Sequence, residues 1–169
     1  MRRFLLIFLF SVIFVEPSIA ADDKPCPEGM VCASKPASLI EVIQAEGYKA
    51  KLTKDEREEP MIESAAAGYN FVVFFYGCEL KEACSSIQFS VSFTEDARLT
   101  PALVNDWNSE NRFSKIYIGE KGKINLRYDV STIGGISKAN FVEVVDLWNF
   151  TLNSFGTFAD KHLPEKKAK

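Results

Sequence analysis

Two pairs of cysteines restrict this chain before any other feature does. Cys78 and Cys84 stand in "FFYGCELKEACSSIQF", residues 74–89, with five residues between them and an apolar run on either side. Cys26 and Cys32 in "PCPEGMVCA" repeat the spacing. Zinc sites favour C-x2–4-C knuckles with further ligands, and C-x5-C fits them poorly. Redox centres favour C-x-x-C within a thioredoxin-like pattern, which this sequence lacks. The chemistry that fits best is a disulfide, which forms and persists in oxidising compartments.

The first twenty residues point to such a compartment. Met1-Arg2-Arg3 is a positive start and "FLLIFLFSVIFV" an apolar segment. Pro17 breaks it, and Ser18-Ile19-Ala20 places small residues where a signal peptidase reads. Twelve apolar residues are too few for a bilayer, which takes about 20. Cleavage after Ala20 is therefore expected rather than an anchor, and "ADDKPC" offers no lipobox before Cys26. The expected location is the periplasm or the exterior, with no membrane association after cleavage.

The mature chain would keep 149 residues, enough for one domain and one core. It would carry 18 basic and 22 acidic side chains, with the one basic cluster in the tail "EKKAK". Binding a phosphate backbone needs clustered Lys and Arg, so nucleic acid is not an expected partner. Residues 21–37, rich in Pro, Asp, Lys and Cys, show no periodicity and predict a flexible arm. The domain is expected over 38–160, with a charged tail at 161–169.

Ser38 with Glu41 three residues on has the form of a capping box, and Gly47 offers a left-handed stop. Between them a short helix is predicted. "YKAKLTK" alternates weakly, "DEREEP" is an acidic turn, and "MIESAAA" is a short strand candidate. "YNFVVFFYG" is a continuous apolar run, predicted as a strand buried on both faces. "SSIQFSVSF" places Ile87, Phe89, Val91 and Phe93 on one face and Ser86, Gln88, Ser90 and Ser92 on the other, a strand with one wet face. These two runs are expected to form an antiparallel hairpin. Thr100-Pro101 predicts a helix start, with Leu103, Val104 and Trp107 buried. "FSKIYIG" and "KINLRYDV" are two strands joined by "GEKGK". After Gly134-Gly135, Ser137 can cap a last helix, on which Phe141, Val145, Trp148, Leu152 and Phe155 share one face. Further apolar residues (Val142, Val144, Leu147, Phe150) widen that surface, as burial against a sheet or contact with a second subunit would require. The fold class is α+β: one antiparallel sheet backed by helices, in the order α-β-β-β(-β)-α-β-β-α.

Within this layout Cys78 and Cys84 sit at the neck of the hairpin, where cross-strand Cα atoms lie about 4.5 to 5.5 Å apart, within reach of a disulfide. Closing a loop of about seven residues is worth about 2.4 kcal/mol in the chain-entropy model. Cys26–Cys32 is the parsimonious second bond, and cross-pairing of the arm with the hairpin stays open.

The stretch "LVNDWNSENRFSKIYIGEKGKINLRYDVSTIGGISKANFVEVVDLWNF" resembles the YbjN domain family of small bacterial proteins, labelled sensory transduction regulators. Trp107, Asn108, Arg112 and Phe113 lead into a Lys115-Ile116-Tyr117 strand. A turn, a strand with Leu126 and Asp129, and Gly134-Gly135 follow. The likeness runs from about Leu39 to Phe158. It implies a fold like that of type III secretion chaperones, often dimeric, without enzyme activity. The signal peptide and cysteine pairs depart from the commoner cytoplasmic members.

Residue chemistry agrees with that implication. The sole histidine, His162, stands near a helix C-terminus, where a cation is favourable; a Ser-His-Asp triad is not expected. The cluster Asp55, Glu56, Glu58 and Glu59 has nothing apolar nearby to desolvate it and lacks the ligand spacing of a calcium loop. "STIGGISK" is not a phosphate loop. Asn108, Asn111, Arg112 and Asp129 are either a network tying the second helix to the following strands or a shallow partner site, with Trp107 beside them. No catalytic residue, cofactor or metal is expected. The leading expectation is an exported, non-enzymatic protein that binds an unidentified protein partner, chaperone-like or regulatory, with a homodimer in view. The alternative is a periplasmic metal-binding protein using its cysteines, with Met30. An enzyme whose site is invisible in sequence is the third.

Overall fold

The computed structural model describes residues 26–163. The expected signal peptide, the beginning of the arm and the end of the tail lie outside these residues. In chain order the described elements are β1 (Met30–Val31), α1 (Pro36–Ala45), β2 (Ala50–Lys54), β3 (Pro60–Ala66), β4 (Tyr69–Tyr76) and β5 (Ser86–Phe93). Then come α2 (Pro101–Glu110), β6 (Ser114–Ile118), β7 (Ile124–Ser131), β8 (Ile136–Ser137) and α3 (Lys138–His162). This is the expected α+β class.

Six strands form one antiparallel sheet in the order β2-β3-β4-β5-β7-β6. The first four are a meander, because short turns join strands whose apolar residues alternate in step. Helix α2 then carries the chain past β7's place to the far edge, where β6 begins, and the β6–β7 hairpin turns back so that β7 pairs with β5. Register puts Leu52, Ile62, Val73, Phe89, Tyr128 and Ser114 in one row across the sheet. Ile87, Phe89 and Val91 are buried on that face, beneath α3. The rings of Phe71 and Phe89 each lie 5.6 Å from that of Trp148, and Phe93 stacks on Phe155 at 4.7 Å. Phe141, Val145, Trp148, Leu152 and Phe155 are all buried, as their spacing predicts. Burying one such side chain stabilises by about 1.5–3 kcal/mol, so this stripe anchors the fold.

Helix caps follow the sequence at two of three places. Thr100 accepts from the Leu103 N–H at 3.3 Å, and Ser137 accepts from the Asn140 N–H at 3.1 Å. The capping box at Ser38 is not formed. Helix α1 starts earlier, at Pro36, and no side chain caps it. Ser38 sits inside the first turn, its hydroxyl donating to the Lys35 carbonyl at 2.7 Å and accepting from the Cys32 N–H at 3.1 Å. Glu41 pairs instead with Lys138 of α3. The Lys138 hydrogen bond and charge hold the Glu41 carboxyl below its usual range.

The second half of the expected arm is folded. β1 pairs with β8, and Val31, Cys32 and Ala33 are buried. The Ala33 N–H donates to the Thr132 hydroxyl at 2.8 Å. Gly135 makes this approach feasible: its φ is +86°, and a Cβ there would stand 2.9 Å from that of Met30. Two paired residues are too few to show periodicity, which is why the arm reads as unstructured.

Two strand expectations also change. β4 buries Phe71, Val73 and Phe75 fully, while Val72, Phe74 and Tyr76 are half-buried on the outer face. β5 does alternate as expected, yet Gln88 and Ser90 of its wet face are buried too. Both strands lie in the middle of the sheet, so larger neighbours on adjacent strands shield them.

Candidate functional site

Helix α2 lies against β6, one outer strand of the sheet, and its residues carry much of the family-like pattern. Trp107 is 2% exposed, its ring edge-on to Phe155 at 5.7 Å and Phe158 at 5.3 Å. That contact seats the helix. One residue on, the Asn108 carboxamide meets the backbone of Ile116. Its Oδ1 accepts from the Ile116 N–H at 2.9 Å, and its Nδ2 donates to the Ile116 carbonyl at 3.1 Å. The Gly119 N–H donates to the Lys123 carbonyl at 2.8 Å, continuing the β6–β7 ladder. Odd-numbered residues of β6 therefore face β7, and Ile116 points outward. Asn108 thus stands in for a neighbouring strand at Ile116, where the edge would otherwise offer unpaired groups.

Asn111 ends α2, its Nδ2 donating to the Trp107 carbonyl at 3.0 Å. Arg112 is exposed, its guanidinium 4.7 Å from the Phe113 ring centre. Phe113 has φ +66° and turns the chain into β6, with the Ser114 N–H donating to the Arg112 carbonyl. Asp129 lies on the outer face of the sheet, accepting from Gln88 and, at 2.8 Å, from Lys115. Partial burial pushes its carboxyl up. The hydrogen bonds from Lys115 and Gln88, with the charges of Lys115 and Arg127, outweigh this and hold it below its usual range. Trp107, Asn108, Arg112 and Asp129 therefore do not converge on one centre: two fasten α2 to the edge, one is exposed beside the turn, and one pairs across the outer face.

The cysteines pair as Cys26–Cys32 and Cys78–Cys84, with Cα atoms 5.8 and 3.8 Å apart. Cross-pairing of the arm with the hairpin does not occur, and the thiolates that metal binding would need are taken up. Among the described residues no three His, Cys, Asp or Glu side chains are grouped to hold a metal, and no helix is long and apolar enough to cross a membrane. The His162 ring lies tilted against that of Phe158, their centres 4.7 Å apart. The acidic segment is a turn: the Asp55 carboxylate accepts from the Arg57 and Glu59 N–H groups at 2.8 and 3.0 Å. Slight burial pushes that carboxyl up, and these two bonds with the Arg57 charge bring it below its usual range.

A cleft of about 630 Å³ lies at the other side of the sheet. The outer strand β2 supplies Leu52, Thr53 and Lys54; the approach to α1 supplies Ala33, Ser34 and Pro36. The disulfide loop closes one end. Leu80, Lys81 and Ala83 in that loop all have positive φ, at 48°, 69° and 47°. Left-handed backbone is uncommon outside glycine and is kept where the surroundings impose it. Here the Cys78–Cys84 bond, the ladder bond from the Ser85 N–H to the Tyr76 carbonyl, and the Thr132 N–H on the Ser85 carbonyl fix the neck. The loop holds Leu80 out at 93% exposure, and Leu52 across the cleft is 51% exposed. Sequence reading passes over this cleft, because "AKLTK" carries only a faint alternation and the loop looks merely charged. The available signal was an apolar Leu80 inside a short cystine loop.

No curated protein matches the sequence. The family described as "Putative bacterial sensory transduction regulator" matches residues 35–160. The chain belongs to the YbjN family.

Proposed function

We propose that this protein is exported and acts without catalysis, as a regulator that binds another protein. The observation that carries this is the cleft beside β2. Its prominent features are exposed leucines and a cystine loop. A strained loop that keeps a leucine in solvent is costly unless the leucine has something to meet. Both disulfides suit an oxidising compartment. A homodimer through α3 is part of the proposal, since Phe150 there is 66% exposed.

Photo-crosslinking in cells tests the binding. A photoreactive residue at position 80 is expected to trap one or a few defined proteins in the periplasmic fraction, and the same residue at exposed Glu120, in the β6–β7 turn, is not. Equal trapping at the two positions, or none at 80, contradicts the proposal. Light scattering on the purified mature protein tests the dimer, which a clean monomer at micromolar concentration would exclude.

A further inference from the structure

Strand β2 has an outward edge whose direction follows from its hydrogen bonds. The Asp55 N–H donates to the Glu59 carbonyl at 2.9 Å, one step beyond the Lys54–Pro60 pair. Residues 51, 53 and 55 therefore face β3, while Ala50, Leu52 and Lys54 face away. Gln44 of α1 confirms the direction, donating to the outward Ala50 carbonyl at 3.0 Å. Among the described residues nothing comparable meets the outward N–H and carbonyl of Leu52. Beside these groups lies the cleft, and the buried Ser34 hydroxyl on its wall also has no partner.

We propose that the outer edge of β2 is a strand-addition site for a short, extended, proline-free segment of a partner polypeptide. The proposal rests on the protein-binding reading above and deepens it. An unpaired strand edge is satisfied best by another strand. The residue opposite Leu52 exchanges two backbone hydrogen bonds with it and projects its side chain to the same face of the sheet. There it meets Leu52, Pro36 and Leu80, so an aliphatic side chain fits. Its neighbours in the segment point to the other face, beside Lys51 and Thr53. A second copy of this chain is a poorer occupant. Two β2 strands paired about Leu52 would set Lys51 diagonally against its own copy, and like charges across strands oppose pairing.

The test uses the mature, disulfide-bonded protein and a soluble hexapeptide, acetyl-Lys-Thr-Val-Thr-Val-Glu-amide, with amide hydrogen exchange read by NMR. Millimolar peptide is expected to slow exchange at Leu52 and Lys54 at least about tenfold. The same peptide N-methylated at both valines keeps its side chains, loses the two N–H donors that face the edge and sets methyl groups in the way of close pairing, and is expected to have no effect. Leu52→Pro removes an outward N–H that the ladder does not use, and is expected to abolish the peptide's effect at Lys54. No slowing at Leu52 and Lys54, or equal slowing by the methylated peptide, overturns the proposal. Protection at Leu52 that rises with protein concentration alone overturns it in favour of a second copy. If crosslinking from position 80 still traps its partner in the Leu52→Pro protein, protein binding stands and strand addition falls.

Discussion

The two edges of the six-stranded sheet meet the same physical problem differently. At β6 the outward groups of Ile116 are both bonded to Asn108, and the Ile116 side chain is 1% exposed under α2. At β2 only the Ala50 carbonyl is met among the described residues, and Leu52 is half exposed beside a cleft. A fold that covers the middle of one edge with a helix and a carboxamide has no lack of means to cover the other. Lysines at 49, 51 and 54 blunt β2 against self-pairing without covering it. The strand-addition proposal rests on this contrast.

The largest expected difference comes from truncating each edge side chain. Ile116→Ala is expected to lower unfolding free energy by about 2–5 kcal/mol, and Leu52→Ala by under about 1 kcal/mol, since half of that side chain is already in water. Urea denaturation of both variants measures this, and equal losses would break the comparison. Removing Cys78 and Cys84 together as alanines is expected to cost about 2.4 kcal/mol in the chain-entropy model. It should also cost the cleft its end wall, so the hexapeptide's effect at Leu52 should weaken. Undiminished protection would show that the loop plays no part. Asn108→Ala removes two hydrogen bonds at the β6 edge and is expected to cost about 1–3 kcal/mol. It should also raise Ile116 amide exchange while leaving Leu52 unchanged.

The smallest effect concerns pH. Asp129 has a lowered pKa in the folded protein, so it contributes stability above its unfolded pKa and loses it as pH falls through the folded value. Lys115→Ala should raise the Asp129 pKa, shown by carboxyl NMR titration, and trim stability near neutral pH while leaving it nearly unchanged at pH below both values. At 53% side-chain exposure the change is expected to be small.

Strong periodicity made much of the fold legible. The α3 stripe from Phe141 to Phe155, the Thr100 and Ser137 caps and the β4–β5 hairpin all stand where apolar spacing and turn chemistry put them. Strand order was not legible, because which strand β7 joins depends on where α2 delivers β6. Nor was β1, whose two residues pair with β8 across more than a hundred positions of sequence. The role of Asn108 was half legible: the family-like pattern marked it for a network or a partner site, while its bond to an outward-facing backbone group depends on strand parity. The open β2 edge was invisible, because nothing in "AKLTK" says that no strand follows it in space.

Amide exchange of Leu52 and Ile116 in the free protein tests the central claim most directly. Both residues point outward from edge strands, so geometry alone would make them alike. The account predicts an Ile116 amide protected by Asn108 and a Leu52 amide exchanging close to the rate of an unprotected chain. Comparable protection at the two positions would contradict it.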